Sequence, residues 1–206
     1  MFILHFQIHD IEFAPSLKVV LEETLPTLEE IVAEGKAKHI GVTGYPLSVL
    51  RDAIAGAPGR FEVVLSYTRY SLIDDSLKEF LPFFQVTLPH SISFNKLYNN
   101  GRIQEQQIGI ICASGHGMGL LTNAGPQSWH PAKDSTKELC RKAAATCIEA
   151  GVELGKLAMH HFVQLAGPAT FLVGMQNELL LDMNLGTYFN GLTAAEEGVM
   201  KTLKET

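Results

Sequence analysis

FILHFQIHD, residues 2–10, is the stretch that decides the fold of this chain. Apolar side chains dominate it until the polar pair His9 and Asp10. Strands of a parallel sheet are buried on both faces and therefore have near-continuous apolar sequences. In α/β barrels, functional side chains lie at the carboxyl ends of such strands. We therefore predict a parallel strand over 2–9, with His9 and Asp10 at a candidate active-site position.

Similar short apolar runs recur along the chain and alternate with helical patterns of 3.6-residue period. The further predicted strands are 37–43, 61–67, 108–113 and 170–173. The predicted helices are 17–35, 46–55, 74–84, 134–151, 155–165, 179–185 and 194–203. We expect Asp74 or Asp75 to be the N-cap of the third helix and Thr193 that of the last.

This alternation indicates an α/β fold with a parallel sheet, either a doubly wound open sheet or a (β/α) barrel. No G-x-G-x-x-G follows any predicted strand, which argues against a dinucleotide-binding doubly wound sheet. We therefore prefer the barrel. A complete barrel has eight strands and about 250 residues, and this chain has five predicted strands, so we expect an incomplete (β/α)8 barrel in a single domain over 1–206.

The segment 86–104, VTLPHSISFNKLYNNGRIQ, interrupts the pattern between a helix and the strand at 108–113. Helix-to-strand connections in such folds usually have about 2–6 residues. Removing 86–104 would join Gln85 to Glu105. We interpret the segment as an atypical insert, and an intron retained in frame would produce one.

Composition restricts the possible partners. Hydrophobic residues make up 46% of the 206 residues and the formal net charge is −6. An acidic chain with scattered basic residues is not expected to bind nucleic acid or anionic membranes. No apolar run approaches the roughly 20 residues of a membrane span, and the start resembles no signal peptide. Three cysteines without metal-ligand spacing fit a reducing compartment, so we expect a cytoplasmic protein.

Five segments in this order resemble the aldo-keto reductase family. They are LHFQIHDIEF (4–13), GKAKHIGVTGYPLSVL (35–50), VVLSYTRYSLID (63–74), GIICASGHGMGLLTNAGPQSWHPA (109–132) and FLVGMQNELLLDMNL (171–185). The resemblance implies a (β/α)8 barrel that binds NAD or NADP and is N-terminally truncated here to about strands four to eight. It is strongest to the branch that oxidises a sugar hydroxyl to a lactone by hydride transfer.

The family reaction uses an aspartate, a tyrosine, a lysine and a histidine. By resemblance, only the histidine, which orients the substrate oxygen, has a counterpart here, and it is His9. A free tyrosine has a pKa near 10, so its acid–base work needs the cationic neighbour. The resemblance therefore predicts that this chain is catalytically silent.

The resemblance also implies cofactor contacts from several strand ends and loops. The Gly-rich segment 114–120 would pass the pyrophosphate, and the helix start after Gly174 would face a phosphate. The implied cofactor-binding residues are Thr43, Ser66, Ser114, Gly119, Leu120, Gly174, Met175, Gln176 and Asn184. No Lys or Arg lies in 174–184, whereas a 2′-phosphate needs a basic partner, so NAD is favoured over NADP.

Other interpretations remain open at this stage. His9 could be a core histidine, Asp10 a turn residue, and the glycines of 115–119 a simple flexible loop. The chain could be a sugar or aldehyde dehydrogenase, a non-catalytic nucleotide- or partner-binding protein that need not bind a cofactor, or a mis-spliced fragment. Open barrel edges would favour self-association.

Overall fold

A computed structural model describes residues 3–85 and 108–205, without the side chains of Ile3 and Leu4. The insert predicted at 86–104 lies outside these residues. The described part is an α/β fold in which five strands form one sheet in the order β1-β2-β3-β4-β5. The strands are β1 (Ile3–Ile8), β2 (Ala37–Gly44), β3 (Val63–Tyr67), β4 (Gly109–Ala113) and β5 (Thr170–Leu172).

Helices separate the strands along the chain, as expected for an incomplete barrel. A 3-10 turn at Ile11–Phe13 follows β1, and a π turn at Val20–Thr24 joins the first two helices. The α-helices are α1 (Leu17–Val19), α2 (Leu25–Ala33), α3 (Leu47–Gly56), α4 (Leu77–Phe84), α5 (Asp134–Glu149), α6 (Leu154–Val163), α7 (Glu178–Asn190) and α8 (Ala194–Glu205).

Parallel register places the carboxyl ends of the first three strands side by side. Ile8 pairs with Val42 between β1 and β2, and Gly44 pairs with Ser66 between β2 and β3. The residues that follow β1 therefore lie beside the end of β2, and the residues that follow β2 lie beside the end of β3. This edge is the one at which the sequence predicted functional side chains.

The described residues form two compact units. Among the described residues, the first comprises 3–69, 76–85, 108–112 and 167–170, and the second comprises 70–75, 113–166 and 171–205. The single domain expected over 1–206 stays a prediction. The first unit buries large apolar side chains of its strands and helices and of the segment before β3, namely Leu25, Leu50, Phe61, Val64, Leu77, Phe84 and Ile110. The second unit buries a cluster of Ala144, Cys147, Val152, Leu154, Leu157 and Met200.

Helix caps agree with the sequence in one case and not in another. The Thr193 hydroxyl accepts a hydrogen bond from the Glu196 N–H at 3.4 Å, and the Glu196 carboxylate accepts the Thr193 N–H at 2.7 Å. This reciprocal pair is a capping box. The N-cap of α4 is Ser76, not Asp74 or Asp75, because α4 begins at Leu77.

Candidate functional site

His9 and Asp10 lie just beyond β1, as the sequence predicted. His9 Nδ1 is 3.2 Å from Asp10 Oδ2, and the His9 side chain is 81% exposed. Asp10 has a left-handed backbone with φ 49°. Its N–H donates to Thr43 Oγ1 at 2.9 Å, and the Thr43 hydroxyl donates to Asp10 Oδ1 at 3.3 Å. The Thr43 hydroxyl, predicted to contact the cofactor, is therefore engaged with Asp10.

Ser66 is the next predicted site residue along this edge. Its side chain is fully buried, and its hydroxyl oxygen has no hydrogen-bond partner. Buried polar atoms in folded proteins nearly always have a partner, so one without is a candidate for ligand contact.

Two tyrosines lie at the strand ends: Tyr45 directly follows β2, and Tyr67 is the last residue of β3. The rings of Tyr45 and Tyr67 meet edge to face with centroids 5.1 Å apart. Burial raises the pKa of the Tyr45 phenol, and Tyr67, Asp10 and Glu12 raise it further. A phenol with a raised pKa stays protonated near neutral pH and acts as a hydrogen-bond donor rather than a base.

Glu12 ties the ends of β1 and β2 together. Its Oε1 accepts the Tyr45 N–H at 2.8 Å, whereas its buried Oε2 has no hydrogen-bond partner. A Cβ on Gly44 would lie 2.6 Å from that Oε2. From the end of β3, Arg69 Nε donates to the Tyr45 carbonyl at 2.7 Å. The backbone of Tyr45 is thus held from both neighbouring strands.

The predicted pyrophosphate loop, 114–120, has an unusual backbone in the second unit. Ser114, Gly117, Met118 and Gly119 all have positive φ, between 56° and 88°. The Ser114 hydroxyl accepts the Met118 N–H at 3.3 Å. The N–H groups of Gly117 and Leu120 also donate within the loop, to the carbonyls of Ser114 and Gly117, so these bonds fix the backbone of 114–120.

Two residues of this loop are constrained by packing. A Cβ on Gly115 would lie 2.2 Å from Phe162 Cγ, so this glycine is required by contact with α6. Leu120 belongs to a buried cluster with Leu121, Cys140 and Ala158. The side chain of Leu120 is therefore part of the core of the second unit.

Two histidines anchor the same loop. His116 Nε2 is 3.0 Å from the Gly155 carbonyl, and burial lowers the pKa of its imidazole although Gly155 and Glu153 oppose that shift. His130 is buried, and its Nε2 is 2.9 Å from the Gly117 carbonyl. Its Nδ1 accepts the Ala132 N–H at 3.0 Å. Since Nδ1 accepts, Nε2 of neutral His130 donates to Gly117.

The last predicted segment leads into α7. Gly174, Met175 and Gln176 are exposed, and the Asn177 side chain caps the helix by accepting the Leu180 N–H at 2.9 Å. Asn184 is only 4% exposed, and its amide oxygen has no hydrogen-bond partner. Like Ser66, it offers a buried polar atom to a ligand.

The described residues lack the features of a metal site and of a membrane span. Within 3–85 and 108–205, no group of three or more His, Cys, Asp or Glu could hold a metal ion. Cys112, Cys140 and Cys147 are free and buried. No helix in these ranges has the length and apolar character of a membrane span.

The structure adds functional candidates that sequence reasoning did not select. Glu12, Tyr45 and Arg69 meet at the strand ends, and His130 holds the 114–120 loop. Glu12 lies two residues beyond Asp10, and this proximity to a strand end is the signal that could have indicated it. Arg69 and His130 act through backbone carbonyls, and residue type or spacing does not reveal such contacts.

The chain belongs to the aldo/keto reductase family, whose profile matches residues 4–204. It is 34% identical over 178 residues to L-galactose dehydrogenase of Arabidopsis thaliana, covering 86% of this chain and 50% of that protein. It is 25% identical over 187 residues to D-arabinose 1-dehydrogenase of Saccharomyces cerevisiae, with the same two shares. The chain thus spans about half the length of the curated relatives it matches.

Solved structures agree on the fold. The holo form of an aldo-keto reductase from Bacillus halodurans matches 98% of this chain and 61% of its own, with 18% identity and a TM-score of 0.59. Its apo form matches with a TM-score of 0.60 and 17% identity, over 98% of this chain and 62% of its own. The predicted membership of the aldo-keto reductase family is confirmed, and so is the α/β barrel class.

Proposed function

We propose that this chain carries cofactor-binding elements of an NAD-dependent oxidoreductase that acts on the hydroxyl of a sugar, as the name L-galactose dehydrogenase suggests for its relative. The observation that carries the proposal is a buried polar atom of the second unit that has no hydrogen-bond partner, Asn184 Oδ1. The family resemblance had already selected Asn184 as a cofactor contact. A core residue with no ligand would more often be apolar or satisfied.

A bound nicotinamide would accept or supply the hydride. The chain's own residues would bind the cofactor and orient the substrate. Within the second unit, the Asn184 amide would hydrogen-bond the cofactor, and the Gly-rich loop 114–120 would allow its phosphates to approach the backbone. His9 would orient the reacting oxygen of the substrate. The substrate class is a small sugar or aldehyde.

Charge around α7 favours NAD over NADP. Glu178 and Asp182 are exposed on this helix, and 174–184 contains no Lys or Arg. A 2′-phosphate there would meet carboxylates rather than the basic partner it needs. We therefore expect NADH to bind more tightly than NADPH.

NADH titration, followed by nucleotide fluorescence, tests the cofactor proposal. We expect saturable binding, weakened by about tenfold in Asn184→Leu because one hydrogen bond contributes up to about 1.5 kcal/mol. Replacing a polar atom without a partner by an apolar group should leave the melting temperature unchanged or raised. Asn190→Ala, on the exposed end of the same helix, is the matched control. Absence of NADH binding would overturn the proposal.

We further propose that the 206-residue polypeptide alone binds cofactor without turnover. Of the four residues that the family reaction uses, its sequence has a counterpart only for the histidine. L-galactose and NAD should therefore give no increase in absorbance from NADH. Turnover by the purified polypeptide would contradict catalytic silence and leave the cofactor proposal intact.

A cytoplasmic location is part of this proposal. It is supported by three free buried thiols, Cys112, Cys140 and Cys147, which suit a reducing compartment. Imaging of the tagged full chain tests it, and accumulation in a secretory compartment would overturn it.

A further inference from the structure

Tyr45 has a fixed backbone and a hydroxyl that the chain does not use. Its N–H donates to Glu12 Oε1 at 2.8 Å, and its carbonyl accepts a hydrogen bond from Arg69 Nε at 2.7 Å. The Tyr67 ring meets the Tyr45 ring edge to face, with centroids 5.1 Å apart. Within residues 3–85 and 108–205, no hydrogen bond reaches either phenol oxygen. The ring is thus held by contacts that leave its hydroxyl available.

Strand register places the two tyrosines on the face of the sheet that carries Thr43. Thr43 pairs with Leu65 in parallel register. Side chains alternate between the two faces of a strand, so Tyr45 and Tyr67, each two residues further on, share the face of this pair. The Thr43 hydroxyl bonds to Asp10 at the same strand ends of the first unit. Both tyrosines are half-buried, so a small molecule can reach them.

The groups around Tyr45 match an uncharged hydroxyl. Burial first, and then Tyr67, Asp10 and Glu12, raise the pKa of the Tyr45 phenol, so it stays protonated and donates. A sugar hydroxyl both accepts and donates, so it can pair with the phenol and with a neighbouring carboxylate. Arg69 contributes one cation, and its Nε is already bonded to the Tyr45 carbonyl. Two carboxylates against one cation disfavour an anionic ligand such as a phosphate or a uronic acid.

We infer that Tyr45 is a specificity residue for an uncharged sugar: its phenol donates a hydrogen bond to a substrate hydroxyl, and the Tyr67 ring is a positioning group that keeps it in place. This inference rests on the proposed function, in which the substrate is a sugar. Tyrosine combines an apolar ring with a polar hydroxyl, which suits the C–H and O–H groups of a sugar. A site built to hydrogen-bond a substrate hydroxyl discriminates strongly against ligands that cannot pair with it.

Titration of the full chain with L-galactose, followed by saturation-transfer NMR, tests the inference. We expect saturable binding, weakened about tenfold in Tyr45→Phe, which is the scale of one neutral hydrogen bond. The melting temperature should not change, because the lost hydroxyl has no partner in the described chain. Tyr188→Phe is the matched control and should bind L-galactose as the native chain does. The Tyr188 ring also meets a neighbour, Phe189, edge to face with centroids 5.1 Å apart, but it lies exposed on α7.

Substitutions of Tyr67 test its positioning role. Tyr67→Phe keeps the ring contact and should retain the native affinity for L-galactose, whereas Tyr67→Leu removes the contact and should weaken binding. The charge argument is tested with L-galacturonate, in which a carboxylate replaces the hydroxymethyl group of L-galactose. We expect L-galacturonate to bind more weakly.

Three results would each overturn the inference: no binding of L-galactose, an unchanged affinity in Tyr45→Phe, or L-galacturonate binding at least as tightly as L-galactose. NADH titration of Tyr45→Phe should give the native affinity, and a loss would assign the phenol to the cofactor instead of the sugar. A chain that binds NADH but not L-galactose retains the cofactor proposal. A chain that binds L-galactose but not NADH rejects the cofactor proposal alone.

Discussion

Gly44 is the last residue of β2, and its lack of a side chain leaves room for a neighbouring carboxylate. In the structure its Cα leaves room for the Glu12 carboxylate, since a Cβ would lie 2.6 Å from Oε2. The other oxygen of Glu12 is bonded to the Tyr45 N–H at 2.8 Å, so the carboxylate cannot simply swing away.

Gly44→Ala should therefore lower the free energy of unfolding by roughly 1–3 kcal/mol, the usual range for overpacking. Urea denaturation measures this change. In a Glu12→Ala background the same substitution should cost clearly less, because the clashing oxygen is gone. Equal costs in the two backgrounds would show that Glu12 is not the cause.

His116 makes the stability of the second unit depend on pH. Burial lowers the pKa of its imidazole below the ordinary 6.5, although Gly155 and Glu153 oppose the shift. The unfolded chain then binds more protons than the folded chain as the pH falls below 6.5. Stability contributed by neutral His116 is thus present above that value and is lost as the pH falls toward the folded pKa.

His116→Gln keeps a donor for the Gly155 carbonyl but cannot titrate. Its melting temperature should fall less than that of the native chain between about pH 6.5 and 5. Thermal melts at several pH values across this range measure the difference. Parallel curves for the two proteins would contradict a role for His116.

At the scale of elements, we expect opposite effects on stability when alanine replaces two glycines that have open surroundings. Gly198 lies inside α8, and Gly151 follows α5 with φ +67°; a Cβ on either would meet nothing within 4 Å. Gly198→Ala should stabilise by about 0.5–1 kcal/mol through helix propensity. Gly151→Ala should destabilise by roughly 1 kcal/mol or more, because alanine resists a left-handed backbone. Chemical denaturation of both variants tests the pair, and effects of the same sign would contradict it.

The first helical segment shows a detail that periodicity cannot predict. The pattern over 17–35 predicted one regular helix, but Val20–Thr24 forms a π turn between α1 and α2. Pro26 follows this turn and has no N–H for the carbonyl of Glu22, with which its ring would also clash in a regular helix. A wider turn accommodates that proline.

Element positions were otherwise predictable, because buried strands and helix faces have distinct apolar periods. Each strand boundary lies within two residues of its prediction, as for Ala37–Gly44 against 37–43. Helix α7 extends to Asn190, whereas the predicted helix ends at 185. The next residue is Gly186, and glycine is typical of helix ends, although here it lies inside the helix. The Asp10–Thr43 and Glu12–Tyr45 contacts were not predictable, because they depend on strand register and on the left-handed backbone at Asp10.

For the whole molecule, the three thiols report on global unfolding. Burial raises the pKa of Cys112 to about 12 and also raises the pKa of Cys140 and Cys147. Only a thiolate attacks a disulfide reagent, so all three should react slowly with Ellman's reagent in the native chain. In denaturant all three should react rapidly. Fast native labelling of any one would contradict its burial.

Self-association is the last property that we predict for the chain as a whole, and α7 is its source in the described residues. Leu181, Leu185 and Tyr188 follow one another at helical spacing and are 39%, 45% and 58% exposed, and Phe189 is 73% exposed. Strands β1 and β5 are also the ends of the described sheet order. Apolar stripes and open strand edges both favour contact with a second copy.

Light scattering during gel filtration should therefore find that the mass of the native chain increases with concentration. Leu185→Gln with Phe189→Gln should shift the mass toward that of a monomer. The melting temperature of this variant should change little, because both side chains are largely exposed. The matched control is Leu139→Gln with Ile148→Gln on α5, which are 54% and 56% exposed but nine residues apart, and so lie on opposite helix faces. If the control lowers the mass equally, general hydrophobicity drives association; if only the α7 variant does, the stripe is the contact surface. A native chain that is monomeric at every concentration would contradict both explanations.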